Sequence, residues 1–257
     1  MLDSLKHWLA RGTIQPDWRP ISAWAKAQGH VFKGVRDSNG FVIEGNLQGK
    51  PWRLEWGPPQ RAYIRGHELR LRMDVHFPPG LQMMVLTRPL MDKLENDTFE
   101  RYTETLQTQI DETAPEEMRW LAMFPKVDLS LLKPMRGRFG AVSSLPSMAS
   151  AWVDGVLLTQ LEQASLGLLA GEPPFVLMTL RGRVYLRLEL PEADLTSITQ
   201  CIALFEAAVV QASRAAEVLG EVSTDWPTSS LPGWPSQLNA GPSTGSDTDI
   251  EGGPTRS

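Results

Sequence analysis

Residues 68–76 carry Arg70, Arg72, Asp74 and His76 at every second position, alternating with Leu69, Leu71, Met73 and Val75. An alternation of period two places the two sets on opposite faces of a half-buried antiparallel strand. The polar set has chemistry available to it. Guanidinium groups grip a carboxylate or phosphate through paired N–H donors, and Asp74 and His76, about one pleat apart, are spaced to pass a proton. If the preceding strands pair in chain order, Glu44, Arg53 and Glu55 join the same surface, and Arg53, Arg70, Arg72, Asp74 and His76 become a candidate site for a small anion. The same residues are also what the wet side of such a sheet needs for cross-strand ion pairs.

Other chemical signatures fail when tested against their geometry. His67-Glu68 opens like the helical zinc-peptidase motif, but position 71 is leucine where the second histidine is required, and the segment alternates as a strand. The run from Gly45 to Lys50 is one residue short of a phosphate-cradling loop, and Pro51 stands where a magnesium-binding hydroxyl belongs, so its glycines read as turn residues. No nucleophile elbow or dinucleotide fingerprint follows a strand. Cys201 falls beside the apolar stripe of a helix and reads as a buried structural thiol. His7, His30, His67 and His76 are scattered, so neither a metal site nor a cofactor is expected from the sequence.

The elements that must position these residues follow from apolar spacing. Leu2, Leu5, Trp8 and Leu9 suggest a short helix, and Pro20 opens a second that Gly29 ends. Strands over 31–36, 41–47 and 51–56 form a meander with turns at Ser38-Asn39-Gly40 and Gln48-Gly49. The strand at 68–76 and another at 81–87 follow. Helical spacing returns over 88–111, with a stripe of Phe99, Tyr102, Leu106 and Ile110 and an interruption expected at Asn96-Asp97-Thr98. Pro115 begins a short helix. Residues 125–150 read mostly as loop with one short strand. A helix over 155–169, a hairpin of 175–180 and 184–190 around Arg181-Gly182-Arg183, and a long helix over 194–219 complete the set. That last helix has Leu195, Ile198, Ile202, Phe205, Val209 and Ala212 as its buried stripe.

The implied fold class is α+β: an antiparallel sheet, or two related sheets, packed against helices. Residues 1–221 read as one globular domain. Strands followed by a helix occur twice, about 31–111 and 125–220, the pattern a remote duplication would leave, although any half-buried strand alternates in this way. Residues 222–257, rich in Ser, Thr, Gly, Pro and Asp, read as a disordered tail.

Composition bounds the function. A net charge of −5 is concentrated at the C-terminal end, where Glu221, Asp225, Asp247, Asp249 and Glu251 outweigh Arg256. The nearly neutral remainder gives no basic surface for nucleic acid. One cysteine excludes an internal disulfide and suits a reducing, cytoplasmic setting in a bacterial cell. No run of about 18 apolar residues suggests a membrane span. Trp226 and Trp234, each before proline in the polar tail, are candidate anchors for a protein partner. The leading expectation is a non-catalytic interaction or regulatory module. The alternative is an enzyme or binding protein for a small anionic ligand that uses the arginine-rich sheet face. The oligomeric state is not legible.

Overall fold

The computed structural model describes residues 17–35, 39–78, 80–105, 114–130 and 132–224. The expected helix near residues 2–10 and most of the expected tail, with Trp226 and Trp234, lie outside these residues. Among the described residues the chain is an α+β fold in which an eight-stranded antiparallel sheet packs against six helices.

Helix α1 (Arg19–Ala27) starts with Pro20 in its first turn and buries Ile21 and Ala25. Strands β1 (Val31–Val35), β2 (Gly40–Leu47), β3 (Lys50–Gly57) and β4 (Glu68–Asp74) pair in chain order. The β2–β3 turn is two residues long, with Gln48 at φ 53° and Gly49 at φ 80°. Such left-handed pairs match the twist of a tight hairpin. After β5 (Met83–Thr87) come α2 (Arg88–Thr105), α3 (Glu116–Met123), β6 (Phe139–Ser143), α4 (Pro146–Trp152), α5 (Gly155–Leu166), β7 (Phe175–Leu180), β8 (Arg183–Glu189) and α6 (Leu195–Thr224). The strand order is β1-β2-β3-β4-β8-β7-β5-β6. The β7–β8 hairpin therefore inserts between β4 and β5.

One face of the sheet is apolar across its width. Ile43, Leu54, Leu71, Leu186, Leu177, Val85 and Ala141 lie in register from β2 to β6, each at most 2% exposed. Helices α1, α4, α5 and α6 cover this face through residues such as Ile21, Trp152, Leu161, Ile198 and Phe205. Cys201 is buried there, and burial pushes its thiol pKa up. The expected α6 stripe is buried from Ile198 to Ala212. Residues 195–218 of α6 are also long and apolar enough, by composition alone, to cross a bilayer, with 56% of an apolar 18-residue stretch among them buried within the fold.

The opposite face is covered over only part of its width. Leu90, Met91 and Leu94 of α2 and Met118 and Trp120 of α3 seal β5, β6 and β7 through Met84, Leu86, Val142, Val176 and Met178. Over β2, β3, β4 and β8 this face carries charged side chains instead.

Three expectations are corrected. Helix α2 runs unbroken through Asn96-Asp97-Thr98. Thr98 Oγ1 donates back to the Leu94 carbonyl at 2.6 Å and Lys93 pairs with Asp97 one turn on, so these polar residues stay within the helix and do not cap it. Phe99 is 69% exposed; the buried stripe of α2 lies earlier, at Leu90, Met91 and Leu94, because that turn is the part over the sheet. Residues 125–150 hold helix α4 as well as β6. Pro146 supplies the first turn of α4, and Trp152 Nε1 donates to the Ala208 carbonyl at 2.9 Å, tying the helix to α6.

Candidate functional site

The register of the open face sets which charges meet. Glu44, Arg53, Arg72 and Tyr185 form one row across β2, β3, β4 and β8, and Val42, Glu55, Arg70 and Arg187 form the next. Two arginine pairs therefore stand directly opposite each other across strands: Arg53 with Arg72, and Arg70 with Arg187. Like charges in directly opposed positions are destabilising.

The inner pair is neutralised from within the fold. Glu68, fully buried, receives Arg70 Nη1 at 3.2 Å and Arg187 Nη1 at 2.5 Å on its two oxygens, and the Gln60 amide donates to it at 2.6 Å. Beside it, the buried carboxylate of Glu117, carried in by α3, receives Tyr63 Oη at 2.8 Å and Arg61 Nε at 3.1 Å, with Arg187 Nε 3.8 Å away. Burial and the Glu117 carboxylate drive the Tyr63 hydroxyl pKa well above its usual range. Burial opposes charge on Arg61, but Glu117 outweighs it and the guanidinium pKa is raised. This network pins α3 and the loop before β4 to the sheet.

The outer pair is served unequally. Arg53 donates to Glu55 Oε1 at 2.5 Å and Glu44 Oε1 at 2.7 Å. Arg72, with its side chain 56% exposed, has among the described residues a single carboxylate oxygen in range, Glu55 Oε1 at 4.0 Å, which Arg53 already engages. Lys33 donates to Glu44 at 2.7 Å and is the main cause of the lowered Glu44 pKa, with Arg53 contributing. Burial raises the Glu55 pKa, yet Arg53 and Arg70 together outweigh it and hold the carboxyl below its usual value.

Two shallow depressions share Arg53 and Arg72. The larger, of about 440 Å³, is bounded by Arg183 and Asp74 at the strand ends. The smaller, of about 80 Å³, reaches Arg70, Tyr185 and Arg187. Together they are lined by five arginines against Glu44, Glu55 and Asp74. The two depressions adjoin on the charged face.

Of the residues singled out from sequence, Arg53, Arg70, Arg72 and Asp74 lie together on this face. Arg183 Nε donates to the Asp74 carboxylate at 2.5 Å, and that contact raises the Arg183 pKa. Strand β4 ends at Asp74, and His76 follows it exposed, at φ 63°, so it does not extend the row. Sequence reasoning left out Tyr185 and Arg187, although the alternation of 184–190 put them on one side of a strand, and it left out Arg183, which it read as part of the turn and which is the first residue of β8. It also left out Arg61, Tyr63, Glu68 and Glu117. Of these only Glu68 had a signal, its place in the alternation of β4. Among the described residues no group of three His, Cys, Asp or Glu side chains converges as a metal site would.

No family model and no curated protein matches the chain. Among solved structures, the mycobacterial trehalose monomycolate transport factor A, TtfA, aligns with 10% identity and a TM-score of 0.42, over 77% of this chain and 92% of that one. Likeness at that level assigns neither a family nor an activity.

Proposed function

We propose that this protein binds a small anionic ligand on the open sheet face, with the oxyanion held between Arg53 and Arg72. The contrast between the two arginine pairs carries this reading. Glu68 holds Arg70 and Arg187 at 3.2 and 2.5 Å, whereas among the described residues the one carboxylate shared by Arg53 and Arg72, Glu55, engages Arg53 at 2.5 Å and reaches Arg72 only at 4.0 Å. A ligand carboxylate or phosphate would give Arg72 the close partner that Glu55 does not, through paired N–H donors. The larger depression leaves about 440 Å³ beside both arginines. The Nε of Arg70, buried without a hydrogen-bond partner, lies alongside. This reading replaces a purely regulatory module as the leading one. A cytoplasmic, non-spanning setting is part of the proposal, supported by the buried thiol of Cys201 and by the engagement of the α6 stripe in the core.

Thermal unfolding with and without phosphate, pyrophosphate, citrate and acetyl-CoA, for the wild-type chain and for Arg53→Gln and Arg72→Gln, tests the reading. At least one anion should raise the wild-type Tm by several degrees and leave Arg72→Gln unmoved. A ligand that stabilises the wild type and Arg72→Gln equally would place its site elsewhere.

A further inference from the structure

We propose that the chain's own acidic segment, residues 247–251, docks on the Arg53–Arg72–Arg183 surface and competes there with the external anion. The inference rests on the anion-site reading above and concerns the regulation of that site.

Charge complementarity is the first support. The two depressions carry an excess of arginine. Asp247, Asp249 and Glu251 are acids at every second position of Asp247-Thr-Asp-Ile-Glu251, in a C-terminal segment whose single base is Arg256. Spacing is the second. A chain laid out extended presents alternate side chains on one side at a repeat of about 7 Å. Arg70 and Arg72, two residues apart on β4, share that repeat. Arg72 and Arg183 are diagonal neighbours across β4 and β8, since Arg72 is opposite Tyr185 and Asp74 is opposite Arg183. Diagonal neighbours on a sheet stand about 7–8 Å apart. The row of acids and the arginines thus have matching intervals.

Reach is the third support. Roughly 20 residues separate the end of α6 at Thr224 from Asp247, and a coil of that length has a typical span of about 25 Å. Helix α6 packs on the apolar face, so the segment must pass around the sheet, and its fully extended length of about 70 Å is enough to do so. A tether of this kind gives the acids an effective concentration in the millimolar range, so even weak docking competes with a dilute ligand. The contact should fade as salt shortens the screening length from about 10 Å at 0.1 M to about 3 Å at 1 M.

The test compares the full chain with Asp247→Asn/Asp249→Asn/Glu251→Gln, which keeps the length and removes the charge. Two readouts are taken: the arginine Nε–Hε NMR resonances, assigned through Arg→Lys variants, and the affinity for pyrophosphate by calorimetry. Docking predicts that neutralising the three acids shifts the Arg53, Arg72 and Arg183 resonances and tightens pyrophosphate binding roughly fivefold. The gain should vanish in an Arg72→Gln background and in 1 M salt. Identical spectra and equal affinities in the two chains would overturn docking while leaving the anion site intact. Arginine shifts on neutralisation, with pyrophosphate binding neither chain, would uphold docking and count against the small-anion reading.

Discussion

Arg187 and Glu68 meet at 2.5 Å inside the fold, the arginine 13% exposed and the carboxylate not at all. This contact is the centre of the polar network that lets two arginines face each other on β4 and β8, and it separates a sealed half of the charged face from an open half.

Removing the carboxylate should therefore be costly. In Glu68→Gln, Arg70 and Arg187 remain opposed and partly desolvated without their shared counter-charge, and breaking a buried pair from one side typically costs about 3 kcal/mol or more. Urea unfolding should show a lowered midpoint with an unchanged slope. A midpoint equal to that of the wild type would mean that Glu68 does not hold the pair together.

Arg72 should behave in the opposite way. It faces Arg53 directly and has one carboxylate oxygen 4.0 Å away, so Arg72→Gln removes like-charge repulsion at little cost in contacts. A stability gain of about 0.5 kcal/mol is expected, accompanied by loss of any anion-induced stabilisation. Stability gained together with binding lost is the trade-off expected of a binding position. A clear loss of stability in Arg72→Gln would instead make it part of the structural ion-pair network.

Gly45 permits a close approach on the other side of the sheet. A Cβ at this position would lie 2.2 Å from the Trp52 ring and 2.8 Å from His30 Nδ1. Trp52 is 2% exposed and packed edge-on against His30 at 4.9 Å, so neither ring yields easily. Gly45→Ala should cost about 1–3 kcal/mol through overpacking. Thermal melting of this variant should fall well below that of Gly49→Ala corrected for its positive φ, because Gly49 has open space around it.

His30 links this corner to pH. Burial lowers its pKa from the ordinary 6.5, so the native state binds the proton less readily than the unfolded chain. The stability contributed by the neutral ring is complete above about pH 6.5 and is lost as pH falls below that value toward the lowered folded pKa. Glu44 and Glu55, held below their usual 4.5, add a separate loss at more acidic pH. Melting curves between pH 7.5 and 5 should show a decline in Tm that His30→Gln flattens. An equal decline in both proteins would assign it to another group.

The sequence by itself determined which side of each element is wet. Leu69, Leu71 and Met73 are buried and Arg70, Arg72 and Asp74 line the other face, as their period of two requires; the stripe from Ile198 to Ala212 is buried as the helical period requires. The short turns at Gln48-Gly49 and Arg181-Gly182 were legible for the same reason, since local backbone conformation is set by adjacent residues. Where local rules conflict, the reading failed: Asn96-Asp97-Thr98 resembles a cap until back-bonding and an ion pair absorb it, and residues 125–150, which supply the one expected strand as β6, also begin helix α4, held by contacts with α6 remote in sequence. The composition of the charged face was decided only by tertiary structure. Pairing of β4 with β8 brings Arg183 and Arg187 beside residues more than a hundred positions earlier, and α3 delivers Glu117 to the same place. Periodicity reports the exposure of a side chain, but the partner it meets depends on strand order and on which helices cover which strands, and those arise from the packing of the whole sheet.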